Sequence, residues 1–219
     1  KYSTMSSTTK NSKEKSPDLF EQPWLNKLTR THVAFPVSIF LLSAVGLLYF
    51  ASINTQLSVG TLAALFFGGT LFFTFAEYSI HRWVYHPPEN ASEGFVNLTY
   101  KVHGIHHDYP KDKQRIAMPP WLTVLVATIL LLVFKMIMGQ FSFAFLAGFF
   151  AGYGLYLLIH YMVHIFPMPK NRFRALWINH AIHHYSNEEI LFGVSNPFWD
   201  YIFGTMPSKE IKQEILIKK

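Results

Sequence analysis

The sequence predicts an all-α integral membrane protein. Four transmembrane helices form two hairpins, under a cytosolic helical cap rich in histidine. Three observations lead there. Four long stretches contain almost no charge; every Lys and Arg except Lys135 lies outside them; and ten of the eleven histidines fall in four groups between positions 81 and 184. Averaged over 219 residues the chain is 50% apolar, 17% aromatic and 15% charged, which hides how sharply these classes are segregated. The length suits one domain. With no cysteine, disulfides, thiolate metal sites and cysteine nucleophiles are excluded, so any metal must be held by His, Asp, Glu or Tyr.

Residues 1–18 are polar and rich in Ser, Thr and Lys, and read as a disordered tail rather than a signal peptide; residues 19–219 read as one membrane domain. Leu19, Phe20, Trp24, Leu25 and Leu28 then sit among Pro17, Asp18, Pro23 and Lys27. A capped loop and a short helix lying in the membrane interface explain this pattern equally well.

Residues 33–53 and 57–76 are apolar stretches long enough to cross the roughly 30 Å hydrocarbon layer, and Asn54-Thr55-Gln56 between them permits only a tight turn. Residues 121–138 and 141–159 form the second pair, joined at Gly139-Gln140. Carried into the histidine groups that follow, the spans are about 33–53, 57–80, 121–138 and 141–164. Gly148, Gly152 and Gly154 leave room for close helix packing within the bundle.

The cations give the orientation. Six precede the first span, five lie in 81–120 and seven follow the fourth span, whereas the two short turns carry none. Both termini and the central segment are therefore expected in the cytoplasm. Lys135 is near enough to a helix end to snorkel outward. The net charge of +6 is thereby explained without nucleic acid. The sequons at Asn90 and Asn97 fall on the cytoplasmic side and should stay unglycosylated, while Trp83, Trp121 and Trp199 suit interfacial anchoring.

The histidine groups are His81 with His86; His103, His106 and His107; His160 with His164; and His180, His183 and His184. One histidine on an apolar face is usually a packed core residue, the reading kept for His32. Ten on one side of the membrane, with H-x-x-H-H twice, point to ligation. On a helix, positions three or four apart share a face, while adjacent positions diverge by about 100°, so one H-x-x-H-H group can serve two ions. His81 and His86 are poorly aligned on a regular helix, but Pro87 and Pro88 end it at once and let His86 bend back. Ten imidazoles suit two ions with four or five nitrogens each, and imidazole accepts Fe, Zn, Cu or Ni.

Three classes compete: a di-iron oxygenase acting on a lipid, a membrane haem electron carrier, and a metal transporter. Haem carriers place histidines singly within the bilayer. A transporter would need ionisable groups along its spans, where only Glu77 and Lys135 approach the boundaries. Histidines clustered at the membrane surface, under a bundle able to hold an acyl chain, fit the oxygenase.

The pattern H-x4-H, H-x2-H-H, H-x3-H, H-x2-H-H resembles the fatty acid hydroxylase (sterol desaturase) superfamily. Its fatty acid 2-hydroxylase branch is resembled by Tyr100-Lys-Val-His103-Gly-Ile-His106-His107, by Asp112-Lys-Gln-Arg115 through Met118-Pro119-Pro120, and by His180-Ala-Ile-His183-His184-Tyr185. Phe192-Gly193-Val194 and the run Phe198 to Thr205 extend the likeness, which covers roughly residues 20–206. It implies a dimetal (di-iron) site held by the ten histidines, O2 as co-substrate, and hydroxylation at C2 of a fatty acid or of the acyl chain of a ceramide. A fatty acid or sterol desaturase or hydroxylase of different regiochemistry uses closely similar boxes. Zinc is favoured over iron(II) by such ligands and can occupy the site in purified protein. Eukaryotic members usually begin with a cytochrome b5 domain; here a separate electron donor, such as cytochrome b5 or ferredoxin, is expected. The resemblance also leads to Asp after Tyr156, where this chain has Leu157.

The outer N–H of each ligand ring needs an acceptor. Glu77, Asp108 and Asp200 are the carboxylates expected to serve, with Glu188 and Glu189 also near; Glu77 stands out because an unpaired charge at the end of a span is costly. Tyr156, Tyr161 and Tyr185 are candidates for head-group contact. The setting is a multi-pass membrane protein of the endoplasmic reticulum, or of the inner membrane if bacterial.

Overall fold

The computed structural model describes residues 15–208. Most of the expected tail, 1–14, and the last four lysines lie outside the described residues. In chain order the helices are α1 (Pro23–Leu28), α2 (Ala34–Asn54), α3 (Val59–Ile80), α4 (Glu93–Thr99), α5 (Ile105–Asp108), α6 (Pro120–Met138), α7 (Phe141–Ile165), α8 (Arg174–Tyr185) and α9 (Phe198–Ile202). No strand occurs among the described residues. α2, α3, α6 and α7 are each long and apolar enough to cross a membrane, and their ends fall within a few residues of the expected limits. The segment before the first span is a helix, with Pro23 at its first turn, where a missing N–H costs nothing.

Helix α7 is the axis of the bundle, packed chiefly on α3 and α2 and then on α6. Its small residues explain this. A Cβ on Gly148 would lie 1.8 Å from the Phe66 carbonyl oxygen, and one on Gly69 of α3 would lie 1.8 Å from that of Phe145. The two backbones therefore touch reciprocally, and Thr70 donates across the seam to the Gly148 carbonyl at 3.1 Å. The expectation that the α7 glycines serve internal packing matches this arrangement. Phe40, Phe73, Phe149 and Phe150 fill the space on either side.

The segment expected as tail is anchored at residue 16. The buried Asp112 carboxylate accepts from the Ser16 amide at 3.0 Å and its hydroxyl at 2.6 Å. Arg30 bridges the pair, donating to Asp112 at 3.0 Å and to the Ser16 carbonyl at 2.6 Å. A buried carboxylate needs such partners, and here they draw the start of the described chain onto the central segment.

Candidate metal centre

Four elements deliver the histidines to the same end of the bundle. α3 passes directly into a π-helical turn, His81–Tyr85. At about 4.4 residues per turn, five residues of π-helix leave two side chains roughly 50° apart, against roughly 140° in an α-helix. The re-pitched backbone brings His86 round toward His81, and His86 itself, at φ −110° and ψ 78°, is the irregular end expected before Pro87 and Pro88. A second π-turn, Tyr100–Gly104, leads into α5 and presents His103, His106 and His107. The end of α7 supplies His160 and His164, and α8 supplies His180, His183 and His184.

The ten rings converge in two sets of five. One holds His81, His86, His103, His107 and His183; the other holds His106, His160, His164, His180 and His184, and within each set the ligand nitrogens lie within 4.8 Å of one another. Each H-x-x-H-H group divides between the sets, the i and i+4 members together and the middle one opposite. His107 and His184 stack face to face between the sets, centroids 4.1 Å apart.

The donor set fits metal ions. His164 Nε2 lies 3.0 Å from His106 Nε2 and 2.7 Å from His180 Nε2, and a single ring nitrogen, with one proton or one lone pair, cannot satisfy both. Neighbouring ligands about 2.1 Å from a shared ion lie about 3.0 Å apart. The Nε2 atoms of His81, His86, His160 and His183 are buried without a protein partner, which is costly unless an ion takes them. Contacts of this kind are between adjacent ligands, whereas a haem leaves only two opposed positions. Burial is the chief cause that pushes His86 down to about 4 and His183 to about 3, and His103, His106, His180 and His184 well below their ordinary value, with neighbouring imidazoles adding to it. Neutral rings are the form that ligates.

Two of the outer nitrogens, those of His81 and His183, are fixed by a loop rather than by the expected carboxylates. His81 Nδ1 donates to the Phe192 carbonyl at 2.6 Å and His183 Nδ1 to that of Ile190 at 2.8 Å, which leaves Nε2 of each for a metal. Between them Leu191 holds φ +61°, the one non-glycine residue with positive φ among those described. Five successive amides hold this strained loop in place. Leu191 donates to the Thr205 carbonyl, Phe192 and Gly193 to the two Asp200 oxygens, and Val194 and Ser195 to Glu77 Oε1, all at 2.8–3.0 Å. The Ser195 hydroxyl also donates to Glu77 Oε2. Glu77 and Asp200 therefore position ring acceptors without touching a ring, a correction to their expected role. Asp108 accepts from the Tyr100 hydroxyl at 3.0 Å and reaches no histidine. Glu188, half exposed, approaches His107 Nδ1 at 3.6 Å; the Glu189 side chain is exposed.

A cavity of about 330 Å³ opens onto both sets, reaching His103, His106 and His160. Tyr85 stacks on His103 (4.6 Å, 16°) and Tyr156 on His160 (5.4 Å, 21°), so two tyrosine–imidazole pairs form its inner wall. Of the three expected head-group tyrosines, Tyr156 lines this cavity; Tyr161 and Tyr185 do not. Tyr161 instead packs between His32 and Phe166, and Tyr185 is exposed. Sequence reasoning missed Tyr85, Tyr153, Lys101 and Arg115 in the wall; Tyr85, adjacent to His86, carried the clearest signal.

The model of the fatty acid hydroxylase family matches residues 66–205. A mouse protein named fatty acid 2-hydroxylase is 33% identical over 169 residues, covering 74% of this chain and 45% of that one. The ceramide very long chain fatty acid hydroxylase SCS7 of Saccharomyces cerevisiae is 36% identical over 144 residues, covering 64% and 37%. The chain thus spans less than half the length of these relatives. The dihydroceramide fatty acyl 2-hydroxylase FAH2 of Arabidopsis thaliana is 29% identical over 87% of this chain and 80% of its own. A solved structure described as full-length scs7p, with only the hydroxylase domain visible, superposes with a TM-score of 0.75 at 31% identity, over 84% of this chain and 70% of that one.

Proposed function

This chain belongs to the fatty acid hydroxylase family, and from that premise we propose that it is an O2-dependent lipid hydroxylase. It inserts a hydroxyl at C2 of a fatty acid or of the acyl chain of a ceramide. The observation that carries this reading is the apolar cavity that meets both five-histidine sets, because it joins an acyl-sized space to the place where two ions would be held. The naming of the relatives supports the C2 regiochemistry.

His81, His86, His103, His107 and His183 hold one metal, and His106, His160, His164, His180 and His184 the other. Two irons bound there, given O2 and two electrons from a donor such as cytochrome b5 or ferredoxin, would supply the power to hydroxylate an unactivated C–H bond. The chain's own part is placement and exclusion of water. Leu98, Val102, Ile116 and Leu157 offer apolar walls to the acyl chain. Tyr85 and Tyr156, stacked on ligand rings, close the inner end and keep those imidazoles from turning. The pinned loop 190–195 holds the proton on Nδ1 of His81 and His183 and so keeps Nε2 free for metal. The cation distribution supports a cytoplasmic site, in an endoplasmic reticulum or bacterial inner membrane.

Lipid mass spectrometry of a host with and without the protein tests the reaction. A gain of one oxygen at C2 of acyl chains, abolished in His183→Ala, is the expected result. A loss of two hydrogens would make the protein a desaturase, and no change in an iron-replete host would end the proposal. Protein purified with zinc is expected to be inactive until reloaded with iron.

A further inference from the structure

We propose that the short helix α9 is a membrane foot. Its outer face, Phe198, Tyr201 and Ile202, lies in lipid beside the end of α3, while its inner face clamps the loop that orients His81 and His183. At about 100° per residue, Phe198, Tyr201 and Ile202 fall within an arc of about 100°, and Asp200 points about 160° away from the centre of that arc. Burial follows the same division: Tyr201 is 67% exposed, Ile202 55% and Phe198 50%, against 0% for Asp200. Asp200 is the one charged residue in the run 198–205. It is spent inward, on the amides of Phe192 and Gly193 and on the Thr205 hydroxyl. Gly204, at φ +70°, then ends the helix and turns the chain back, so that the Thr205 amide donates to the Asp200 carbonyl at 2.9 Å.

The place of α9 against α3 decides what covers the outer face. Trp199 Nε1 donates to Thr74 Oγ1 at 3.0 Å, and its ring lies 5.0 Å from that of Phe75. Phe198 shares a groove with Thr70, Leu71 and Thr74. The charge-free stretch 57–76 matches the thickness of the hydrocarbon layer, so the boundary on the histidine side lies near Ala76. At about 1.5 Å per residue, Thr74 is about 3 Å and Thr70 about 9 Å inside that boundary. An amphipathic helix lying in the interface sinks about 5–10 Å, which is the same level.

The neighbouring surface agrees. Leu71, beside Phe198, is exposed on a helix that spans the membrane. On the other side, exposed Trp83 meets Phe203 with ring centroids 6.1 Å apart. The apolar surface therefore continues from the lipid face of α3, across α9, to a tryptophan at the boundary, where that residue is favoured. This continuity, with no charge on the outer face, points to the bilayer and not to a water-facing surface or a charged protein partner. Through Asp200 the foot is one bonded step from the Phe192 carbonyl that accepts from His81, so it ties the height of that loop to the membrane.

The test uses the full chain, metal-loaded, in phosphatidylcholine vesicles. With no native cysteine, Tyr201→Cys and Ile202→Cys each give one site for a nitroxide label, and neither side chain takes part in the clamp. Collision with O2, which concentrates in lipid, is compared with collision with a water-soluble nickel chelate. Leu71→Cys serves as the lipid reference and Glu89→Cys as the water reference. The O2-to-nickel ratio at 201 and 202 is expected to exceed the Glu89→Cys value several-fold and to approach that of Leu71→Cys. A ratio no higher than at position 89 would put the face in water and overturn the proposal. Labels shielded from both reagents would mean that protein covers the helix, a second copy or another partner, and would overturn it as well. The unsubstituted chain gives a second reading that no loss of fold can confuse. A diazirine carried near the carbonyl end of a lipid acyl chain should insert into the peptide holding residues 198–203, and labelling of α3 without that peptide would contradict the foot. Neither reading needs turnover, so both are separate from the lipid assay.

Discussion

Glu77 shows how much a single buried side chain can govern at a distance. Its carboxylate takes two amides and a hydroxyl from residues 194–195, two positions beyond the carbonyl that orients His81. Glu77→Ala leaves those donors buried and unpaired, and should cost about 2–4 kcal/mol in thermal or denaturant unfolding. Metal affinity at the set containing His81 should fall by about 10–100-fold, readable by competitive chelation. Glu77→Gln retains the oxygen that the two amides need and should cost far less in both measurements. The histidines add a pH dependence. His86 and His183 titrate at about 4 and about 3 when folded, against an ordinary value of 6.5, so the unfolded chain takes up their protons first. Metal-free protein should therefore lose stability progressively as pH falls below about 6.5, and continue to lose it down to about 3. Asp112 acts in the same direction at lower pH: despite burial, its bonds from Ser16 and Gln114 and the charge of Arg30 hold it below the usual carboxylate range. A melting temperature that rose on acidification would contradict this. The ten histidines that the fold gathers into two sets were legible in the sequence because H-x-x-H-H and H-x3-H are side-chain patterns at helical spacing. Their acceptors were not, because the carbonyls of Ile190 and Phe192 carry no side-chain signature, and the carboxylates that seemed suited to the task are one step removed.

At the scale of elements, the seam between α3 and α7 decides where the two sets meet. α3 leads to His81, and α7 carries His160 and His164. The helices touch where Gly69 and Gly148 lack a Cβ. Gly148→Ala would drive a methyl into the Phe66 carbonyl and force the pair apart, with a cost of about 1–3 kcal/mol or more. It should lower the melting temperature and weaken metal retention together, although no ligand has been touched. Gly46→Ala, where a Cβ would meet nothing within 4 Å, is the control and should change neither. The spans themselves were readable from hydropathy and the turns between them, since length and absence of charge dictate both. The π-turn at His81–Tyr85 was not. Its signal was the five-residue spacing of His81 and His86, which an α-helix cannot align; that mismatch was visible, but its backbone solution was not.

The whole molecule places a histidine-rich end on an apolar bundle, and the cation distribution supports the proposal that this end faces the cytoplasm. Having no cysteine, the chain allows single labelling sites without background. With the cytoplasmic orientation, Gln56→Cys and Gln140→Cys in the two turns should react with an impermeant maleimide added outside intact cells. Glu89→Cys, between the second and third spans, should react only after the membrane is opened. The reverse pattern would place the histidines on the outer side and remove the access to a cytoplasmic electron donor. The cavity belongs to this scale as well, because its wall draws on the N-terminal segment, the central segment, α6 and α7 at once. No local pattern announces such a surface: Lys101 and Arg115 stood within runs that carry the family resemblance, but nothing in those runs marked them as wall residues.

The two five-histidine sets are the centre of the proposed chemistry. Metal content per chain of purified protein, by elemental mass spectrometry, tests them most directly. Two ions are expected in the wild type, and close to one in either His106→Ala or His183→Ala, whose rings belong to opposite sets. A wild-type content of one ion or none under metal-replete conditions, or two ions retained in both variants, would contradict it.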